Sequence, residues 1–386
     1  MSSTTAGTAL AGLKVIEIAG LAPAPFAGKI LSDFGADVIR IDRSTAVMNL
    51  DVLAQNKRSL ALNLKSPQGI ETLIRLCEKA DVIIEPFRPG VMERLGLGPE
   101  VLLKRNPRLV YARMTGFGQQ GHYAKMAGHD INYLAISGVL STLGKHDDKP
   151  AFPINLLADF AGGGLMCALG VLLALQERAR SGQGQVVDAA MIEGVSYIGS
   201  FVYNMNKAGA LFQTPRGTGQ LDGGAPFYDT YKTKDGLYMA VGAIESEFYE
   251  LLLQGLGLDT EKDKLPEQMD TRGWPRLRDL FTTIFLSKTQ EEWVKVFDLT
   301  DACVTPVLDY YSMPTPAPAP RLLRTPAKGQ QQQQQQEGSS AEEEIFLEVG
   351  GQSRDILVEA GFSEQEIREL VAKNAVAGTG LEKASL

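Results

Sequence analysis

Apolar and polar positions follow two patterns that alternate along the first half of this chain. Leu13–Ile18, Val38–Asp42, Ser59–Leu64, Val82–Ile84, Leu109–Met114 and Val186–Ala189 are short, β-branched and apolar, the makeup of buried strands. Helical patterns separate them. Pro25–Phe34 reads as a helix stopped by Gly35, and Ser66 as N-cap with Pro67 at N1 opens another that runs to about Lys79. A strand, a helix and a strand within about thirty residues form a βαβ unit, with a right-handed crossover and parallel strands. Residues 1–120 therefore predict a doubly wound α/β arrangement. Farther on, Asp130–Ser137 reads as a short helix, Asp159 to about Arg178 as a long apolar one, and Glu193–Ala208 as one more.

The texture changes near Gly209. Arg216–Gly224 is polar and glycine-rich. Phe227–Thr233 and Leu237–Gly242 flank Lys234-Asp235-Gly236 as a β-hairpin, followed by helices at about Glu247–Gly255, Pro275–Phe285 and Thr289–Phe297 and a closing strand at Cys303–Leu308. The expected organisation is a large domain over 1–208, a linker over 209–226, a small α+β domain over 227–310, a Pro/Gln-rich segment over 311–340, and returning helices with a tail over 341–386. The run Gln330–Gln336 carries no chemistry, whereas Ser363-Glu364-Gln365-Glu366 has the form of a capping box.

Composition narrows the classes. The 386 residues carry a formal charge of −8, which argues against general nucleic-acid binding. The three cysteines, Cys77, Cys167 and Cys303, match no disulfide or metal spacing and predict buried, reduced thiols. No apolar run approaches the roughly 20 residues of a bilayer span, so no membrane span is expected. Met1–Gly7 lacks the features of a secretory signal, and the expectation is a soluble intracellular protein. Against the acidic background, Arg40, Arg43, Lys57, Arg58, Arg88 and Arg94 cluster at strand ends and loops, which suggests a phosphorylated ligand. A dinucleotide is disfavoured: the first strand-to-helix turn, Gly20-Leu21-Ala22-Pro23-Ala24-Pro25, lacks the G-x-G-x-x-G pattern, and its prolines remove N–H donors.

Chemistry concentrates at Ala127–Leu134. His129, one of three histidines, stands where a loop becomes a helix, beside backbone N–H groups that favour developing negative charge. A histidine satisfied by local hydrogen bonds fits the spacing equally well. Asp130 adjoins it, Asp159 heads the long helix in a position typical of an N-cap, and Glu245 follows a strand. The small residues after Asp159 suit close approach of a ligand or tight helix packing. A histidine and a carboxylate on opposite faces of one carbon can remove and return a proton, provided N–H donors stabilise the enolate.

Several runs carry a family resemblance. They are Gly20–Pro23 with Phe26, Asp33–Ala36, Lys57–Leu60, Glu93–Pro99, Ala127–Tyr133, Asn155–Leu169, Leu221–Tyr228, Ala240–Glu245 and Asp301–Val307. Over about residues 10–310 the chain resembles the type III CoA-transferase family, and within it the members that racemise 2-methylacyl-CoA thioesters. The resemblance implies a Rossmann-like large domain with a parallel sheet, a small α+β domain, and an interlocked homodimer. It implies that His129 handles the (S) α-proton, that Asp159 handles the (R) α-proton, and that Glu245 holds the histidine. The backbone of Asp130 would bind the thioester oxygen. CoA would be held by Arg43, Arg94 and the strand Ala61, Leu62, Asn63, Leu64, together with Gly128, Ile131, Asn132 and Tyr133. Coenzyme A is part of the substrate, and no metal or redox cofactor is implied. Branched fatty acyl and bile-acid intermediates are the implied substrates. The ending Ala384-Ser385-Leu386 resembles a peroxisomal address read by an import receptor, and members also occur in mitochondria. Alternatives are a CoA-transferase with Asp130 as nucleophile, or a non-catalytic CoA-ester-binding protein. The segment after Leu308 is shorter here than in relatives.

Overall fold

The computed structural model describes residues 7–20, 22–46, 51–328 and 346–381. The glutamine run and the terminal Ala384-Ser385-Leu386 lie outside the described residues. The chain forms two compact units. Unit 1 comprises Met1–Ser137, Pro153–Ile198 and Ala317–Leu386, and unit 2 comprises Gly138–Phe152 and Gly199–Pro316.

Unit 1 is built on a seven-stranded sheet. Its strands are β1 Lys14–Ile18, β2 Asp37–Arg43, β3 Arg58–Leu62, β4 Val82–Glu85, β5 Val110–Thr115, β6 Val186–Ala190 and the two-residue β10 Val376–Ala377. The order is β10-β3-β2-β1-β4-β5-β6. All pairs are parallel except β10 with β3, where Val376 faces Leu62 and Ala377 faces Ala61. The apolar runs become strands because both faces are buried: Val15, Ile16, Val38, Ile83, Ile84 and Tyr111 are almost inaccessible. Helices α1 Pro23–Asp33, α2 Pro67–Glu78, α3 Val91–Arg94 and α4 Pro99–Arg105 connect them. The strand order reverses between β1 and β4, where doubly wound sheets open a crevice. There Gly20 lies so close to Pro86 that an added Cβ would come 2.8 Å from the proline ring.

Ser66 caps α2 as its sequence implies, its hydroxyl accepting the Gly69 N–H at 3.0 Å. Ser66→Ala should lower stability by about 1 kcal/mol, measured by urea denaturation. The capping box at Ser363 also forms and starts the helix Glu364–Ala372. Two helical readings need correction. The helix expected over Glu193–Ala208 is two, α7 Met191–Ile198 and α8 Ser200–Lys207, parted at Gly199 where the chain passes from one unit to the other. The helix expected from Asp159 begins earlier, as a π-helical segment Leu156–Leu165 that continues into α6 Met166–Ser181.

Leu156–Ser181 also overturns the expectation about apolar length. By length and composition it is able to cross a membrane, with a mean hydropathy of 1.9. Interrupting polar residues such as Asp159 hid this in the sequence. Ala158, Gly162–Gly164, Cys167, Ala168, Val171 and Ala174 bury one side of it within unit 1, while Leu156, Leu165, Leu169 and Leu173 stay exposed on the other. The glycines serve that packing. An added Cβ on Gly164 would lie 2.6 Å from the Pro23 carbonyl, and one on Gly194 of α7 would lie 1.8 Å from the Gly162 carbonyl.

Unit 2 carries the antiparallel sheet β7 Tyr228–Lys232, β8 Tyr238–Gly242 and β9 Val304–Pro306. The hairpin turn has Gly236 at φ 84°, a left-handed conformation suited to glycine. Helices α9 Ser246–Leu256, α10 Trp274–Phe285 and α11 Gln290–Phe297 bury Leu252, Phe281, Phe285 and Trp293 against the sheet. Cys77 and Cys167 are buried free thiols, but Cys303, expected inside, is exposed in the turn that leads into β9.

Candidate active site

Helix α5, Asp130–Ser137, positions the first group. His129 is exposed and precedes it, its carbonyl accepting the N–H groups of Asn132 and Tyr133 at 2.8 and 3.2 Å. The His129 N–H donates to Asn132 Oδ1 at 3.0 Å, so the residue is locked on both sides of its Cα. Tyr133 locks the preceding residue, because its hydroxyl donates to the Gly128 carbonyl at 2.5 Å. Two glycines give that ring room: a Cβ on Gly116 would lie 2.1 Å from it, and one on Gly128 would lie 2.8 Å away. Phe117 packs edge-on against the same ring at 4.9 Å. Burial first, and then the charge of Asp159, push the Tyr133 phenol up to about 12, with Arg88 acting in the opposite sense. It therefore stays a hydrogen-bond donor at neutral pH. With the His129 N–H engaged, the N–H groups of Asp130 and Ile131 make no hydrogen bond among the described residues. Orphan donors of this kind at a helix start suit an oxyanion.

The second group comes from the π-helical segment. Asp159 lies in its first turn and is not the N-cap, a correction to the reading of an aspartate heading a helix. The cap comes instead from Asp130, only 3% exposed, whose Oδ2 accepts the N–H groups of Ala158 and Asp159 at 2.7 and 2.8 Å. Asp159 is thereby free to present its own carboxylate, which accepts from Asn155 Nδ2 at 3.2 Å. Burial raises its pKa above the ordinary aspartate range, the Asn155 hydrogen bond opposes this, the charge of Asp130 adds to it, and His129 lowers it. The residue that follows His129 thus holds the backbone of Asp159. Sequence reasoning missed Asn155, although it stands four residues before Asp159, one helical turn away.

The model of CoA-transferase family III matches residues 10–318. The chain belongs to CoA-transferase family III. Two relatives are named α-methylacyl-CoA racemase. The one from Mus musculus is 50% identical over 98% of this chain and all of its own length, and the one from Homo sapiens is 49% identical over the same shares. Among solved structures, Rv3272 from M. tuberculosis superposes with a TM-score of 0.65 at 26% identity, covering 79% of this chain and 85% of its own.

The structure places the other family-implied residues as follows. Arg43 ends β2 and Arg94 ends α3, both exposed, while Ile131 and Asn132 are exposed on α5 and Gly128 is half-buried. Ala61 and Leu62 are buried in β3, with the Ala61 N–H donating to Ser353 Oγ and the Asn63 N–H to the Ala375 carbonyl. Leu64 packs partly buried against the core. Glu245 stands in unit 2, exposed, in extended backbone just before α9. The basic cluster divides. Arg43, Arg88 and Arg94 are exposed, but Arg40, Lys57 and Arg58 are engaged inside unit 1, which corrects their reading as ligand groups. Lys57 and Arg40 pair with Glu17 and Asp51, Arg40 also pairs with Asp42, and Arg58 pairs with Asp37 and Glu359. Their strand-end positions resemble those of phosphate ligands, and the competing carboxylates arrive from elsewhere in the fold: Glu17 on β1, Asp37 and Asp42 on β2, Asp51 in the following loop and Glu359 at the end of the helix Ser353–Glu359.

Proposed function

We propose that this chain is an isomerase, a racemase that interconverts (R)- and (S)-2-methylacyl-CoA thioesters by proton transfer at the α-carbon. The observation that carries this reading is half-identity along nearly the whole chain to two α-methylacyl-CoA racemases, with His129 and Asp159 both in unit 1. One of the two removes the α-proton, and the other delivers a proton to the opposite face of the planar enolate. His129 handles the (S) proton and Asp159 the (R) proton. The N–H groups at the start of α5, that of Asp130 first, take the charge that develops on the thioester oxygen. Arg43, Arg94 and the Ala61–Leu64 strand hold the CoA moiety, and the reaction calls for no metal or redox cofactor. Glu245 orients the histidine within a homodimer, for which exposed apolar side chains such as Leu173 and Tyr197 supply surface. Branched fatty acyl and bile-acid CoA esters are the proposed substrates.

The second reading within the family is acyl transfer through Asp130. Against it stands the burial of that carboxylate under two backbone N–H groups, which leaves it no open face for attack. One experiment separates the two. A single epimer of a 2-methylacyl-CoA incubated with the protein in D₂O is expected to yield both epimers, with deuterium at the α-carbon. Transfer of CoA to a free acid, with no deuterium incorporated, would overturn the racemase reading.

A further inference from the structure

The side chain of Asp130 lies between the two groups that the proposed reaction needs. The residue directly follows His129 on α5, and its Oδ2 takes the N–H groups of Ala158 and of Asp159 itself. Its Oδ1 is buried and has no hydrogen-bond partner among the described residues. A π-helical start leaves several N–H groups without acceptors, and an anion there makes short charge-assisted bonds that the helix field favours. We propose that the Asp130 carboxylate is a positioning residue, which sets where the Asp159 carboxylate stands relative to His129, and that it is not a nucleophile. This deepens the racemase reading and rests on it.

The arrangement ties two otherwise separate backbones together by one side chain. On one side, His129 is locked to the first turn of α5 by Asn132. On the other, the backbone of Asp159 is held by Asp130, so its carboxylate has a fixed origin and needs only the Asn155 contact to select its direction. The side chain also acts through its charge. Burial, Asp130 and His129 all act on Asp159, and Tyr133, itself under the influence of Arg88, lies within reach of the same charges. Asp130 opposes ionisation of Asp159, whereas His129 favours it. Removing the Asp130 charge therefore makes Asp159 a weaker base that ionises at lower pH.

Two variants test this, each read by wash-out of the α-deuteron from (R)- and (S)-labelled substrate and by the pH dependence of kcat/KM. Asp130→Asn keeps an acceptor oxygen for the two N–H groups and loses the charge. The acid limb for the (R) epimer, which requires ionised Asp159, should move to lower pH. Asp130→Ala loses the tether as well, and wash-out from the (R) epimer should fall by about 10²-fold, the cost of a misplacement near 1 Å. Wash-out from the (S) epimer should fall less. Circular dichroism checks that both variants fold, and Asp130→Asn carries the test alone if Asp130→Ala does not. An acid limb unmoved in Asp130→Asn, or equal losses for the two epimers in Asp130→Ala, would overturn the positioning role while leaving the racemase reading intact. Trapping an acyl-anhydride adduct on Asp130 of the wild-type protein would also overturn it. Failure of the wild-type protein to exchange either proton would sink the racemase reading itself.

Discussion

Asp159→Asn is expected to lower racemisation in both directions by about 10²–10⁴-fold, the usual loss when a positioned acid or base is removed. The exchange is nearly isosteric, and the amide still accepts from Asn155, so unit 1 should fold and bind CoA esters with unchanged affinity. An amide cannot shuttle a proton. Exchange of the (S) α-proton into solvent, which needs only His129, should outlast racemisation. The sign of the pH dependence follows from the direction of the shift. Burial, reinforced by Asp130, raises the Asp159 pKa, so its base form appears only above the ordinary aspartate range. The (R)-to-(S) rate should therefore rise with pH through that raised value. The same shift costs stability as pH rises, because the folded state holds this proton more tightly than the unfolded chain does. Steady-state assays from each pure epimer, with isothermal titration of a non-reacting CoA ester, measure both halves. Turnover unchanged from wild type would remove Asp159 from the mechanism.

Lys57→Met should have the largest effect on stability, a loss of about 3–5 kcal/mol, the usual cost of leaving a buried charge without its partner. Lys57 Nζ is fully enclosed and donates to both oxygens of Glu17, at 2.8 and 3.1 Å, and to the Pro25 carbonyl at 2.9 Å. Arg40 alone would then face Glu17, Asp42 and Asp51. Burial already raises the Glu17 pKa, against the pull of Lys57 first and of Arg40 second. Without Lys57 that opposition weakens and the pKa rises further. A carboxylate raised in the folded state stabilises fully below its unfolded pKa and loses this contribution as pH rises through the folded one. The deficit of the variant should thus be smallest in mildly acidic buffer and largest in mildly alkaline buffer. Urea denaturation in the two buffers measures it, and a deficit independent of pH would show that packing of the lysine stem, not its charge, is what unit 1 needs.

Ser59 extends this cluster, donating its hydroxyl to Asp42 at 2.7 Å while accepting the Gly350 N–H at the same distance. The returning C-terminal segment is thereby joined to the ionic network beneath β2 and β3. Nothing local in Lys57-Arg58-Ser59 distinguishes this from a phosphate site. Arg43, at the end of β2, and Lys57, just before β3, are alike as basic residues near strand ends. What separates them is that Glu17, from β1, meets Lys57 and leaves Arg43 exposed. The aspartates behave similarly. Asp159 has the spacing of an N-cap, yet the capping is done by Asp130, a partner 29 residues away in the chain.

The strands of the parallel sheet, the βαβ order, the caps at Ser66 and Ser363, the start of α5 at Asp130 and the family were all legible along the chain. These rest on periodicity, on short-range capping geometry or on long motifs, all of which act within a few residues or are written out in order. Tertiary structure decided which charges face a ligand and which are buried in pairs. It also decided that Leu156–Ser181 packs one face inside unit 1 despite an apolar length able to span a membrane, and that the Asp130 side chain joins the loop of His129 to the helix of Asp159. The reason is physical. A charge or an apolar face has no fixed meaning until its neighbours are known, and those neighbours arrive from strands and helices far away in the chain.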